Sequence, residues 1–150
     1  MKKVPNLRFK EFSDEWKMYL LGKSIVLYDK DRKPIKEQER ISGEYAYYGA
    51  TGIIDYIDNY IFEGEYLLLG EDGANIVTRS APLIYKTSGK FWVNNHAHIF
   101  KPKKDFNIDF MKQRLELINY VPYNTGTAQP KLNADSIKSI PFKAPEKEEQ

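Results

Sequence analysis

A chain of 150 residues, 41% hydrophobic and 29% charged, fits one globular domain able to bury its own core, and it excludes wholesale disorder. Cysteine is absent, which excludes a disulfide framework and a thiolate zinc site and makes a reducing cytoplasm the simplest compartment. The net charge of +2 is too small to announce a polyanion partner, but it is unevenly spread: residues 1–40 carry eleven bases and seven acids, 41–75 seven acids and no base, and 76–104 six bases and no acid.

The opening MKKVPNLRFKEF breaks up with Pro, Arg and Lys before an apolar segment can form, so neither a signal peptide nor a membrane-spanning helix is expected. Residues 1–15 read as a docking arm whose apolar anchors are Val4, Leu7, Phe9 and Phe12. From 16 to 27, alternation at Trp16, Met18 and Leu20 gives way to helical spacing at Leu21 and Ile25, predicting a short strand running into a short helix. Residues 29–40, DKDRKPIKEQER, carry dense mixed charge and one Pro, the composition of an exposed loop.

Strands are then expected over 45–48, 52–58, 65–69, 75–78, 82–85, 90–93 and 96–101, separated by Gly-containing breakers, with Asp72-Gly73 as the strongest tight-turn signal. Residues 107–120 place Ile108, Met111, Leu115 and Ile118 on one stripe behind a capping Asn107, which predicts one longer amphipathic helix near 107–120. A short helical piece is expected near 135–138 and a short strand at 140–142. The fold class that follows is α+β: a twisted antiparallel or mixed sheet, or a partly closed β-barrel, with a few short helices.

Chemistry is sparse. Walker-type phosphate loops and a GxGxxG opening a helix are missing, and NYVPYN at 119–124 departs from the Asn-Pro-Pro-Tyr cleft of amino-methyltransferases in composition and spacing. His96 and His98 would share one face of a strand, as a metal pair needs, and Glu71 and Asp72 could add carboxylates; the plainer expectation is that Glu71 and Asp72 fix a turn through backbone amides. Recognition is better supplied. Arg and Lys suit guanine and phosphate, and Asn suits adenine. Lys30, Arg32, Lys33 and Lys36 are the first candidates for phosphate contacts, and Arg79, Lys86, Lys90, Asn94, Asn95 and His96 follow from the acid-free zone.

The runs YYGATGIIDYIDNYIFEGEYLLLGEDGANI (47–76), GKFWVNNHAHIF (89–100) and NTGTAQPKLN (124–133), together with the opening VPNLRFKEFSDEWK (4–17), resemble the target recognition domain of the specificity subunit of type I restriction-modification enzymes. Such a resemblance implies a non-catalytic, sequence-specific DNA-binding domain that takes one half of a bipartite duplex target, with no cofactor or metal of its own. Its implied partners are double-stranded DNA, a modification subunit that methylates adenine with S-adenosylmethionine, a restriction subunit, and a second recognition domain in the full-length subunit. Residues 1–145 would then be one recognition domain and 146–150 the start of a truncated spacer helix, in an excised piece or a truncated gene product. Gly49-Ala50-Thr51-Gly52 and residues 70–75 would be scaffold, and Thr127-Ala128-Gln129-Pro130 would brace the point where the spacer leaves. The competing expectation is a small hydrolase or metal-dependent enzyme centred on Glu71, Asp72, His96 and His98; another is a module that only docks on a modification subunit.

Overall fold

The computed structural model describes residues 5–150. Its frame is three β-sheets rather than a closed barrel. Strands β2 (Ile25–Leu27), β6 (Tyr66–Gly70), β7 (Ile84–Thr87) and β9 (Ala97–Pro102) form the first, antiparallel, in the order β2-β9-β6-β7. A second is mixed, in the order β4-β3-β8-β5, from β3 (Ser42–Gly49), β4 (Gly52–Ile57), β5 (Phe62–Glu63) and β8 (Lys90–Val93), with β3 and β8 parallel. The third is a ribbon of β1 (Lys17–Leu20) and β10 (Pro141–Ala144), which ties the two ends of the chain together.

Strand β6 explains the layering. Every one of its five residues is buried, so both faces of the first sheet are covered. Alternation sends Leu67 and Leu69 into a large cluster with Ile84, Phe100, Met111, Leu115, Ile137 and Phe142. It sends Tyr66 and Leu68 into a second cluster with Phe62, Phe91, Val93, Ala97 and Ile99. The first cluster is capped by α1 (Leu21–Ser24), α3 (Ile108–Glu116) and α4 (Ala134–Lys138); the second is the seam between the two four-stranded sheets.

Helix α3 starts where expected, with the Asn107 carboxamide accepting from the amides of Asp109 at 2.9 Å and Phe110 at 3.0 Å. It stops at Glu116, short of 120, because Arg79 reaches in and donates to the carbonyls of Glu116 at 2.6 Å and Ile118 at 2.9 Å. Three further expectations are corrected. Residues 75–78 are not a strand but helix α2 (Asn75–Thr78), entered through Gly73 at φ 109° and left through Arg79 at φ 49°, so Asp72-Gly73 opens a helix instead of closing a hairpin. Asn75 is buried, and its side chain accepts from the Ala81 amide at 3.0 Å and donates to the Ala81 carbonyl at 3.0 Å; those bonds favour a local turn over a ladder. Ile25–Leu27 is strand β2, not helix, because its backbone pairs with residues 100–102 of β9.

The N-terminal arm docks through its polar residues. Val4, one of its expected anchors, lies outside the described residues; Leu7 and Phe9 are 93% and 74% exposed. Arg8 instead donates to both carboxylate oxygens of Glu149 at 2.6 Å, and the Trp16 indole donates to the same carboxylate at 3.2 Å. The Arg8 hydrogen bond holds the Glu149 carboxyl below the ordinary carboxylate value of 4.5. A group depressed in this way stabilises the docked arm above pH 4.5 and loses that effect as pH falls through its folded value. In a Trp92→Phe background, Trp16 fluorescence is therefore expected to change on acidification below pH 4.5, and in Glu149→Gln that transition should vanish.

Candidate nucleic-acid interface

The charged loop 28–41 is not loose. It lies along the outer face of the second sheet: the Lys33 amide donates to the Val93 carbonyl at 3.2 Å, the Trp92 indole to the Lys33 carbonyl at 2.7 Å, and the Ile35 amide to the Tyr47 hydroxyl at 2.9 Å. Arg40 closes the loop, with its guanidinium 4.6 Å above the Tyr47 ring and 3.4 Å from the Asp55 carboxylate. With the backbone held down, Lys30, Lys33 and Lys36 point to solvent. None of their ammonium groups has an ion pair or hydrogen bond among the described residues.

Beside this loop sits the turn between β8 and β9. Asn94 is buried; its carboxamide accepts from the His96 amide at 2.8 Å, and its own amide donates to the Tyr48 carbonyl at 3.0 Å. Those bonds present Asn95 and the His96 ring outward. The His96 Nδ1 is 2.7 Å from Asp72, whose backbone bridges to Lys131 in the loop 125–131. The β3–β4 tip joins the same end, since a Cβ on Gly70 would stand 2.8 Å from the Ala50 carbonyl oxygen. Tyr85 fixes that tip by donating to the Gly49 carbonyl and accepting from the Gly52 amide; burial pushes its phenol well up, so it stays a neutral donor.

The loops that carry Lys30, Arg32, Lys33 and Lys36 and the turn that carries Asn94, Asn95 and His96 therefore meet at one end of the sheets. Arg32 is not free there: its side chain is 14% exposed and donates to Glu71 at 2.6 Å and to the Ala97 carbonyl at 2.9 Å. Arg79, Lys86 and Lys90 are engaged elsewhere. Arg79 braces the end of α3 and pairs with Glu116 at 2.8 Å. Lys86 is bound by Asp109 at 3.0 Å and Glu65 at 3.4 Å, and the Asp109 hydrogen bond raises its pKa. Lys90 sits 4.9 Å over the Tyr60 ring. Charge counting could not separate the bound cations from the free ones, because their acids come from remote stretches.

Thr51, Gln129 and Lys131 were not among the expected site residues, yet they are exposed on the loops that converge here. Their only signal was position inside quoted runs. The four residues of the enzyme alternative do not form a centre. Glu71 pairs with Arg32 and Asp72 with His96, neither fixing a turn amide with its side chain; His98 is fully buried between Asp29 at 2.5 Å and the Leu132 carbonyl at 2.6 Å. His96 precedes β9, so the two rings share no strand face, and no group of three His, Asp or Glu among the described residues could hold a metal.

A family model described as the type I restriction modification DNA specificity domain matches residues 13–150. The chain belongs to that family. A putative type I restriction enzyme specificity subunit of Haemophilus influenzae is 36% identical over 131 residues, covering 87% of this chain and 33% of the relative. The EcoprrI type I specificity subunit of Escherichia coli is 27% identical over 147 residues, covering 96% and 35%. This specificity domain therefore spans about a third of the length of the curated relatives it matches. Its fold is that of the M. genitalium type I S subunit, with a TM-score of 0.66 at 11% identity over 96% of this chain and 36% of that one. The HsdS subunit of Thermoanaerobacter tengcongensis gives 0.54 at 11% identity over 95% and 36%. No helix among the described residues is long and apolar enough to cross a membrane.

Proposed function

We propose that this specificity domain recognises one half of a bipartite duplex DNA target for a type I restriction-modification complex and has no catalytic part of its own. The observation that carries the proposal is the shared loop end, where unpaired Lys30, Lys33 and Lys36 flank outward-facing Asn95 and His96. Phosphates would be taken by the three lysines, and base edges by Asn95, His96 and Gln129. Arg32 and Asn94 would support these groups from beneath, and Arg79, Lys86 and Lys90 would contact DNA only by leaving their present partners.

Adenine methylation and cleavage then fall to a modification and a restriction subunit, and the other half-site to a second recognition domain in a full-length subunit, all in the cytoplasm. Residues 1–145 serve as one recognition domain and 146–150 lead into a spacer helix. The Glu149 and Gln150 amides, which donate to the carbonyls of Glu146 at 3.0 Å and Lys147 at 3.1 Å, support that lead.

Fluorescence anisotropy with a labelled random duplex at several salt concentrations tests the proposal. Binding is expected to weaken linearly on a log–log plot, by about 0.9 in slope for each phosphate contact. Absence of any duplex affinity at low salt, or affinity indifferent to salt, would overturn it.

A further inference from the structure

The reading loops are not independent of one another, and a closed ring of hydrogen bonds beneath them accounts for it. Arg32 donates from Nη1 to Glu71 Oε2 at 2.6 Å, to the Ala97 carbonyl at 2.9 Å and to the Asn95 carbonyl at 3.5 Å, and from Nε to the Asp29 carbonyl at 2.9 Å. The Glu71 amide donates to the His96 carbonyl at 2.9 Å, and the Glu71 carbonyl accepts from the Leu132 amide at 2.6 Å. His98 completes the circuit, with Nδ1 2.5 Å from Asp29 and Nε2 2.6 Å from the Leu132 carbonyl, while Asp29 also accepts from the Ile99 amide at 2.9 Å. Four segments remote in sequence, around residues 29–32, 71, 95–99 and 132, are each tied to at least two of the others.

The ring is shielded from water. The side chains of Arg32, Asp29 and Glu71 are 14%, 14% and 13% exposed, and His98 is 0% exposed. Charged hydrogen bonds in such surroundings are strong and directional, and removing one partner leaves the other buried without compensation. Sequence reading depends on side chains held to within a fraction of an ångström of the base edges, whereas phosphate attraction does not.

We infer that Arg32 and His98 are positioning residues for DNA specificity: neither touches DNA, and together they set the spacing between the Lys30–Lys36 loop, the Asn95–His96 turn and the loop that carries Gln129. The inference rests on the DNA-reading assignment above. Its distinctive consequence is that a side chain with no exposed surface, His98, should alter which bases are preferred.

The test is selection of this chain on a duplex pool randomised at its centre, with salt titration on the unselected pool and melting curves as fold controls. Arg32→Met and His98→Asn are each expected to lower the preference for the wild-type motif over the pool on the order of tenfold, while the salt slope stays unchanged. Arg32→Lys and His98→Gln each keep part of the circuit; they should fall between, and they serve where the harsher variants fail to fold. Lys33→Ala should do the opposite, lowering the salt slope without changing the motif. Folded Arg32 and His98 variants that select the wild-type motif with undiminished preference would overturn the inference. A wild-type chain that binds the pool but enriches no motif would instead overturn the assignment of DNA reading.

Discussion

Replacing Lys30, Lys33 and Lys36 together by alanine is expected to reduce the salt slope of duplex binding by about 2.7, that is about 0.9 for each lost phosphate contact. These three ammonium groups lack an ion pair among the described residues, so their full charge is available to a polyanion. The substitutions touch no buried side chain, and the backbone clamps at Lys33, through Val93 and Trp92, use main-chain groups that alanine retains. Melting temperature should therefore hardly move, as is usual for surface changes. Affinity should fall alike for every duplex, because phosphates carry no sequence information. The same triple change with an unaltered slope would remove this loop from the interface. As a contrast, Lys86→Ala should leave the slope nearly intact, since Lys86 is already matched by Asp109 and Glu65.

Phe91→Ala should be the most damaging single truncation for stability, by about 3–5 kcal/mol against a total on the order of 5–15 kcal/mol. Phe91 is 1% exposed in the middle of the second sheet, on β8 between β3 and β5. Its ring stacks on Phe62 at 5.6 Å and meets Tyr66 and Tyr48 edge-on at 5.6 Å and 5.7 Å. Alanine leaves a ring-sized void at the seam of two sheets, which a β-framework cannot close by sliding. Urea denaturation should show the loss, with a fall in melting temperature of roughly 10 °C. DNA binding should fail with it, because β8 carries Trp92 and leads directly into Asn94. A cost under about 1 kcal/mol would show that this seam is not a core of the fold.

Much of the fold was legible one segment at a time. Strand β8 fell on the expected residues, β3, β4 and β6 within a residue or a few, and α3 at its cap, because alternation, Gly punctuation and an Asn cap are local signals. The strand expected over 75–78 failed because its Ile-Val-Thr run has strand composition, while the buried Asn75 carboxamide binds the backbone of Ala81. The α3 end was misplaced because Arg79, far away in sequence, takes its last carbonyls. The candidate site divides in the same way. The loop 29–40 and the Asn94–His96 turn were visible as polar, basic stretches; that Arg32 lies beneath the surface while Lys30 and Lys33 stand above it was not.

The sequence by itself determined the α+β class, the single-domain size, the element texture, the absence of thiol chemistry and, through three separated runs, the family. Tertiary structure decided which charges are free. Composition registers a lysine or arginine wherever it stands, but its availability to DNA depends on whether an acid from another segment lies within a few ångströms. Glu71 meets Arg32 across 39 residues, and Glu116 meets Arg79 across 37. Contacts of that range come from sheet order and register, which no local pattern of residues encodes.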